Sequence, residues 1–381
     1  MSAQVMTGLA GLAADGPPPT LRGRRVGILT HPAAILPDAT QAVDVLRAIG
    51  LDVRLLLGAE HGLRGTAQAG ESEPGDVDPS TGLRILDTYR QSSAELGQQL
   101  NGVDVVVVDL QHSGARFYTY ESTLHDVLHA CAEADVDVVV LDRPNPLGGA
   151  VVDGPVLELE YASFVGRSAI PLRHGLTLGE LAMLFAKRNA LPEPEIVPMR
   201  GWRRGMLFAD TGLPWVPPSP NLPTAISALC YAGTCLFEGV NVSVGRGTAN
   251  PFELVGAPWI DSGFAQRLRQ LGLAGVVVRE AYFEPTADVY AGTACCGVQL
   301  HVTEPRTFDP LRTAMHLLAE LLRGWPERAE FRAAHFDLLV GTTRIREALS
   351  RGIEADRIVA SWRAESAAFR DERREFLLYD T

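Results

Sequence analysis

The sequence predicts an α/β protein: a Rossmann-like, mostly parallel sheet in an N-terminal domain, followed by a smaller α+β C-terminal domain. Three observations carry this. Short apolar, β-branched runs alternate with helix-period segments through the first half of the chain, the pattern of βαβ units. Those runs are almost continuously apolar, as strands buried on both faces require. The chain has 381 residues, more than one hydrophobic core usually organises, so two domains are expected, at residues 20–225 and 226–381.

The elements follow in order. After a Pro-rich leader (Gly16 to Pro19), Arg25–Thr30 reads as a buried strand, and Ala39–Ile49 sets Ala42, Val45, Leu46 and Ile49 at helical spacing. Val53–Leu57 and Val103–Leu110 are further strands, Glu121–Ala134 is a helix with Leu124, Leu128 and Cys131 on one face, and Val136–Leu141 closes the series. Thr177 with Glu180 forms a capping box that opens a helix reaching about Asn189. Leu213–Pro223 is too Pro-rich for helix or central strand and marks the passage to the second domain, with its Trp215 and Asn221 available to line a cleft. Beyond it, Val276–Arg279 and Gly297–Thr303 read as strands and Pro310–Arg323 as an amphipathic helix, while the last fifty residues are charged, helical and without evident chemistry.

Composition removes several functions. Hydrophobic residues are 46% and charged residues 21% of the chain, an ordinary globular balance. The net charge is −12 and no Lys/Arg cluster occurs, so nucleic acid is not an expected partner. The turn after the first strand, His31-Pro32-Ala33-Ala34, lacks the glycines that admit a dinucleotide pyrophosphate. Five cysteines without CxxC spacing read as small buried residues rather than a disulfide framework or zinc knuckle. The N-terminus has no basic-then-apolar leader and no stretch reaches the roughly 20 apolar residues of a membrane span; a cytoplasmic protein is expected.

Polar residues collect where strands end, the edge at which open α/β sheets bind ligands. The second strand runs into Glu60-His61-Gly62-Leu63-Arg64, with Ala69-Gly70-Glu71 close behind; the third ends at Asp109, Gln111, His112, Arg116, Tyr118 and Tyr120; the fourth ends at Asp142-Arg143-Pro144-Asn145. Each has a bland counterpart. Asp109 and Asp142 also suit turn caps, Arg116 a scaffold ion pair, and Tyr118 and Tyr120 a packed core. Glu60 is the hardest to dismiss, set between a buried strand and a glycine-flanked loop beside His61. A second cluster holds Glu238, Asn241 and Arg246 among Gly239, Gly245 and Gly247, which allow close backbone approach but form no P-loop.

The strings GAEHGLRG, GARFYTYESTLHDV, LDRPNPLGG, TGLPWVPPSPNLPT, GTCLFEG, GRGTANPFELVGAPW and CCGVQLHVT, in order along most of the chain, resemble the exo-β-N-acetylmuramidases of the NamZ type. The resemblance implies a Rossmann-like domain and a smaller one with a cleft between them, no cofactor, and release of N-acetylmuramic acid (MurNAc) from the non-reducing ends of peptidoglycan fragments in cell-wall turnover. Two positions depart from the family pattern: His112 and Val244 stand where acidic residues are expected.

For glycoside hydrolysis, Glu60 is assigned as general acid and Asp109 as second carboxylate, with Glu238 and Glu71 in reserve, by inverting, retaining or substrate-assisted chemistry. The lactyl carboxylate of MurNAc calls for an arginine: Arg116 first, Arg246 second, Arg64 and Arg143 behind. Tyr118, Tyr120 and Trp215 are candidates for stacking on sugars, and His61, Gln111, Asp142, Asn145, Asn221 and Asn241 for other substrate contacts. Two rival readings are a non-catalytic muropeptide-binding protein, prompted by the lost acidic positions, and a metal-dependent hydrolase built from His61, His112, Asp109 and Asp142.

Overall fold

The computed structural model describes residues 4–68, 70–71, 77–89 and 91–380. Ala69, in one of the strand-end motifs, lies outside the described residues. The strands are β1 (Arg25–Thr30), β2 (Asp52–Gly58), β3 (Arg84–Asp87), β4 (Val105–Asp109), β5 (Asp137–Leu141), β6 (Asp153–Val156), β7 (Pro171–Arg173), β8 (Glu195–Val197), β9 (Leu254–Ala257), β10 (Val276–Phe283) and β11 (Cys295–Val302). A six-stranded sheet has the order β3-β2-β1-β4-β5-β8, every pairing parallel. This is the doubly wound arrangement, with its reversal of strand order between β1 and β4. β4 is wholly buried and offers Val105 to Val108 to both layers, which is why its sequence shows no alternation.

The helices of this half are α1 (Gly8–Asp15), α2 (Ala42–Ala48), α3 (Ser93–Gln99), α4 (Thr119–Glu133) and α5 (Leu178–Arg188). The capping box at Thr177 and Glu180 forms as read from sequence. The helix expected from Ala39 starts only at Ala42, because Ala39 takes a left-handed φ of 69° and Ile35 bridges to Gln41. The edge strands β3 and β8 were not legible: four and three residues long and half exposed, they lack a buried run to betray them.

The second half contains α6 (Ala225–Thr234), α7 (Gly263–Gln270), α8 (Pro310–Gly324), α9 (Ala333–Val340), α10 (Arg344–Ser350), α11 (Ala355–Ser361) and α12 (Arg363–Glu372) around an antiparallel sheet ordered β10-β11-β9. Leu213–Pro223 carries neither helix nor strand. One hydrophobic cluster runs from Val106 and Leu124 through Leu229 and Phe237 to Leu317 and Trp362, so the halves share a core. The C-terminal segment returns to the first half: Trp362 donates to Asp153, Arg373 to the Gly149 and Gly175 carbonyls, and Tyr379 to Asp142. All five cysteines are buried and free. Among the described residues, no helix is long and apolar enough to cross a membrane.

Candidate active site

Burial and partners divide the strand-end polar residues into two sets. The first is scaffold. Asp109 is fully buried with both oxygens on the Arg143 guanidinium, at 2.5 and 3.1 Å, and Arg143 also donates to the Ile35 carbonyl. Asp142 accepts from the hydroxyls of Thr177 and Tyr379 and the amide of Gly179, fastening α5 and the C-terminal segment; burial pushes its carboxyl up to about 6 against those donors. Asn145 closes a turn through Leu147 N and the Leu176 carbonyl, and Gln111 bonds the His112 and Pro144 carbonyls. Arg116 is buried in a cage of carbonyls, donating to Pro155, Ile170 and, across the halves, Leu339. Burial lowers it to about 9. Arg64 pairs with Asp78, Tyr120 donates to the Pro218 carbonyl, and Trp215 to that of Leu222.

Among the residues expected at the site, Asp109, Asp142, Asn145, Gln111, Arg64, Arg116, Arg143, Tyr120 and Trp215 do not border the cleft that holds Glu60. For the buried ones the reason is common: a charge or polar group taken from water keeps whatever partner compensates it, and here the partners are protein groups; Arg64 stays exposed and is tied to the buried Asp78 instead.

The second set lines that cleft, a space of about 540 Å³ that runs on into a pocket of about 130 Å³. This suits a saccharide-sized ligand. Glu60, Glu238, Arg246 and His335 border both parts, Asn221, Glu71, Tyr89, Asp288 and Arg332 the outer part, and His61, Tyr118, Thr119, Tyr231 and Cys235 the inner one.

Glu60 reaches the cleft because the chain leaves β2 in a sharp turn. His61 has φ 75° and Gly62 φ 80°, and His61 Nδ1 with the Ala67 carbonyl holds the loop closed. A left-handed backbone at a non-glycine residue is costly and is kept where the surroundings determine it. The Glu60 carboxylate accepts from Gly70 N at 2.8 Å and from Thr119 Oγ1 at 2.5 Å, in the first turn of α4. Burial holds His61 below the usual imidazole range against the opposing pull of Glu60.

Glu238 comes from the second half, in the tight turn Cys235–Gly239 that continues α6. Its oxygens take Arg246 Nε at 2.6 Å and the Cys235 thiol at 3.7 Å. Burial raises that thiol well above its ordinary range, so it stays protonated and donates. Tyr118 stands at the pocket's inner end, its hydroxyl on the Pro218 carbonyl. Two carboxyl groups thus border one cleft from the two halves, Glu60 with neutral donors and Glu238 beside a guanidinium.

Asn241 does not line the cleft. Its side chain accepts from Glu330 N and donates to the Arg328 carbonyl, clasping the segment that leads into α9. Sequence reasoning missed Tyr89, Thr119, Cys235, Arg332 and His335. Thr119 and Cys235 lie within strings that carried the family resemblance, and Tyr89 ends a further one, TGLRILDTY, whereas nothing in the local sequence distinguishes Arg332 and His335.

The residues named for a metal site do not converge, since Asp109, Asp142 and His61 hold the separate partners described above. Among the described residues, one trio, His112, Glu121 and His174, is close enough to share an ion. It does not fit one. His174 Nδ1 accepts the Leu176 amide, so Nε2 carries the proton it donates to Glu121 and has no lone pair to offer. The two departures from the family pattern are also interior: His112 and Val244 are buried, and neither borders the cleft.

Comparison with known proteins agrees with this architecture. The family models for exo-β-N-acetylmuramidase NamZ match residues 26–226 with the N-terminal part and 229–379 with the C-terminal part. The chain is 41% identical over 364 residues to the peptidoglycan β-N-acetylmuramidase NamZ of Bacillus subtilis (strain 168), covering 94% of this chain and 88% of that protein. Two crystal structures of DUF1343 family proteins from Bacteroides fragilis, each 31% identical over 99% of both chains, superpose with TM-scores of 0.90 and 0.80. With both family models matched end to end, this chain belongs to the exo-β-N-acetylmuramidase NamZ family.

Proposed function

We propose that this protein is an exo-acting glycoside hydrolase that releases MurNAc from the non-reducing ends of peptidoglycan fragments, with Glu60 as general acid and Glu238, in place of Asp109, as the second carboxylate. The observation that carries the reading is that these two carboxyl groups border one saccharide-sized cleft in a chain similar to a peptidoglycan β-N-acetylmuramidase. Hydrolysis of a glycosidic bond needs a proton for the leaving oxygen and a carboxylate acting on the other side of the ring. Glu60, which accepts from an amide and a hydroxyl, is the carboxyl not paired with a guanidinium and supplies the proton. Glu238, paired with Arg246, is the anion, activating water, attacking C1 or orienting the acetamido group.

The non-catalytic reading loses its motive, because the acidic residues missing at positions 112 and 244 are missing from the interior and not from the cleft. The test is turnover. Purified protein given a chromogenic β-MurNAc glycoside and a defined muropeptide chain is expected to release free MurNAc stepwise, with no internal fragments. Binding without release, or release of internal oligosaccharides, contradicts the proposal.

A further inference from the structure

The candidates for a carboxylate clamp offered by sequence each already have a protein partner. Arg116 is caged by carbonyls, Arg143 holds Asp109, Arg64 holds Asp78, and Arg246 holds Glu238 with Asp288 at 3.9 Å. Among the described residues, the outer cleft is lined by four carboxylates, Glu60, Glu71, Glu238 and Asp288, against two arginines, Arg246 and Arg332. Among these described residues, an anionic substrate group is best met by a guanidinium not already paired to a carboxylate. That guanidinium is Arg332, whose side chain makes no hydrogen bond or ion pair with another described residue.

Its position is built rather than incidental. The Arg332 amide donates to the Gly239 carbonyl at 2.8 Å, one residue past Glu238. Phe331 bridges to Val240, and Asn241 holds Glu330 and Arg328 with its amide group. A β-carbon at Gly239 would lie 2.6 Å from the Phe336 backbone, so only glycine lets α9 come this close to the catalytic turn. His335, one turn along α9, borders both parts of the cleft.

We infer that Arg332, seconded by His335, is the specificity determinant for the substrate's carboxylate, the lactyl ether that distinguishes MurNAc from N-acetylglucosamine. The inference rests on the proposed function above. Guanidinium binds carboxylate in a bidentate fork that an ammonium does not reproduce.

The experiment compares kcat/KM on matched chromogenic β-MurNAc and β-N-acetylglucosamine glycosides for wild type, Arg332→Ala and Arg332→Lys. Arg332→Ala is expected to lower the MurNAc value about ten- to a hundredfold, mainly through KM, as loss of a charge-assisted hydrogen bond does, and to lower the N-acetylglucosamine value by no more than about threefold. Arg332→Lys is expected to fall between. An equal loss on both glycosides, or an unchanged ratio, overturns the inference. If the wild-type protein turns over neither glycoside, the proposed function fails and calorimetric titration with free MurNAc and N-acetylglucosamine decides the clamp on its own. A MurNAc preference abolished by Arg332→Ala upholds it, and equal binding of the two sugars by wild type refutes it.

Discussion

Two regions of this molecule are rich in the same residue types and do opposite work. The carboxyl ends of β4 and β5 gather Asp109, Asp142, Arg143, Asn145 and Arg116, all interior and all spent on protein partners. The turn after β2, the turn after α6 and the start of α9 bring Glu60, Glu238, Arg246, Arg332 and His335 to a shared cleft. The difference teaches that a concentration of charge at strand ends marks either a site or a desolvated scaffold, and that the second is told by whether every charge is answered inside the protein.

The comparison breaks most visibly at Glu60. Glu60→Gln is expected to lower turnover by at least about a hundredfold with an unchanged thermal midpoint, as loss of a general acid does; near wild-type turnover would remove Glu60 from the chemistry. Arg116→Met should do the reverse. It strands three buried carbonyls, so more than about 2 kcal/mol of stability is expected to be lost, read by urea unfolding, while the ratio of MurNAc to N-acetylglucosamine hydrolysis is kept. A changed ratio would return Arg116 to the site.

Acid sharpens the scaffold side. Burial lowers His31 and His112 below the ordinary 6.5 and takes His174 to about 3. The unfolded imidazoles take up protons as pH falls through about 6.5, whereas the folded ones do so only at lower pH, so stability is full above that value and drops on acidification by about 1.4 kcal/mol per pH unit per histidine. Asp142 has the opposite sign, since its folded carboxyl, at about 6, takes its proton before the unfolded one at 3.8. His61 and His129 are lowered in the same way, and Glu121, Asp153 and Glu253 are raised with Asp142, so five imidazoles oppose four carboxyls and urea midpoints are expected to fall between about pH 7 and pH 5; a rise would mean that the carboxyls dominate. The smallest effect is expected at Cys235. Cys235→Ala, removing the thiol donor to Glu238, should cost a few-fold in kcat with little change in KM, and Cys235→Ser should recover part of it.

Much of the fold was legible because it is written in apolar runs. β1, β2, β4, β5 and α4 appear within a few residues of where periodicity places them, since burial on both faces forbids polar interruption. Glu60 was legible for a related reason, a carboxylate directly after such a strand among glycines. Asp109 looked equivalent because sequence does not show that Arg143, thirty-four residues on, arrives at the same depth. Arg332 was invisible because its place depends on the Asn241 clasp and the glycine at 239, contacts made across ninety residues of chain.

The central claim is that catalysis lies with Glu60 and Glu238 in the shared cleft and not with Asp109 in the sheet. One paired measurement tests it: kcat/KM on the chromogenic β-MurNAc glycoside, with unfolding midpoints, for Glu238→Gln and Asp109→Asn. Glu238→Gln is expected to lose at least about a hundredfold in kcat/KM at an unchanged midpoint. Asp109→Asn, which leaves the buried Arg143 guanidinium uncompensated, is expected to lose about 3–5 kcal/mol of stability while the folded fraction turns over at close to the wild-type rate. Abolished turnover in Asp109→Asn at an unchanged midpoint, with Glu238→Gln still active, would contradict the account.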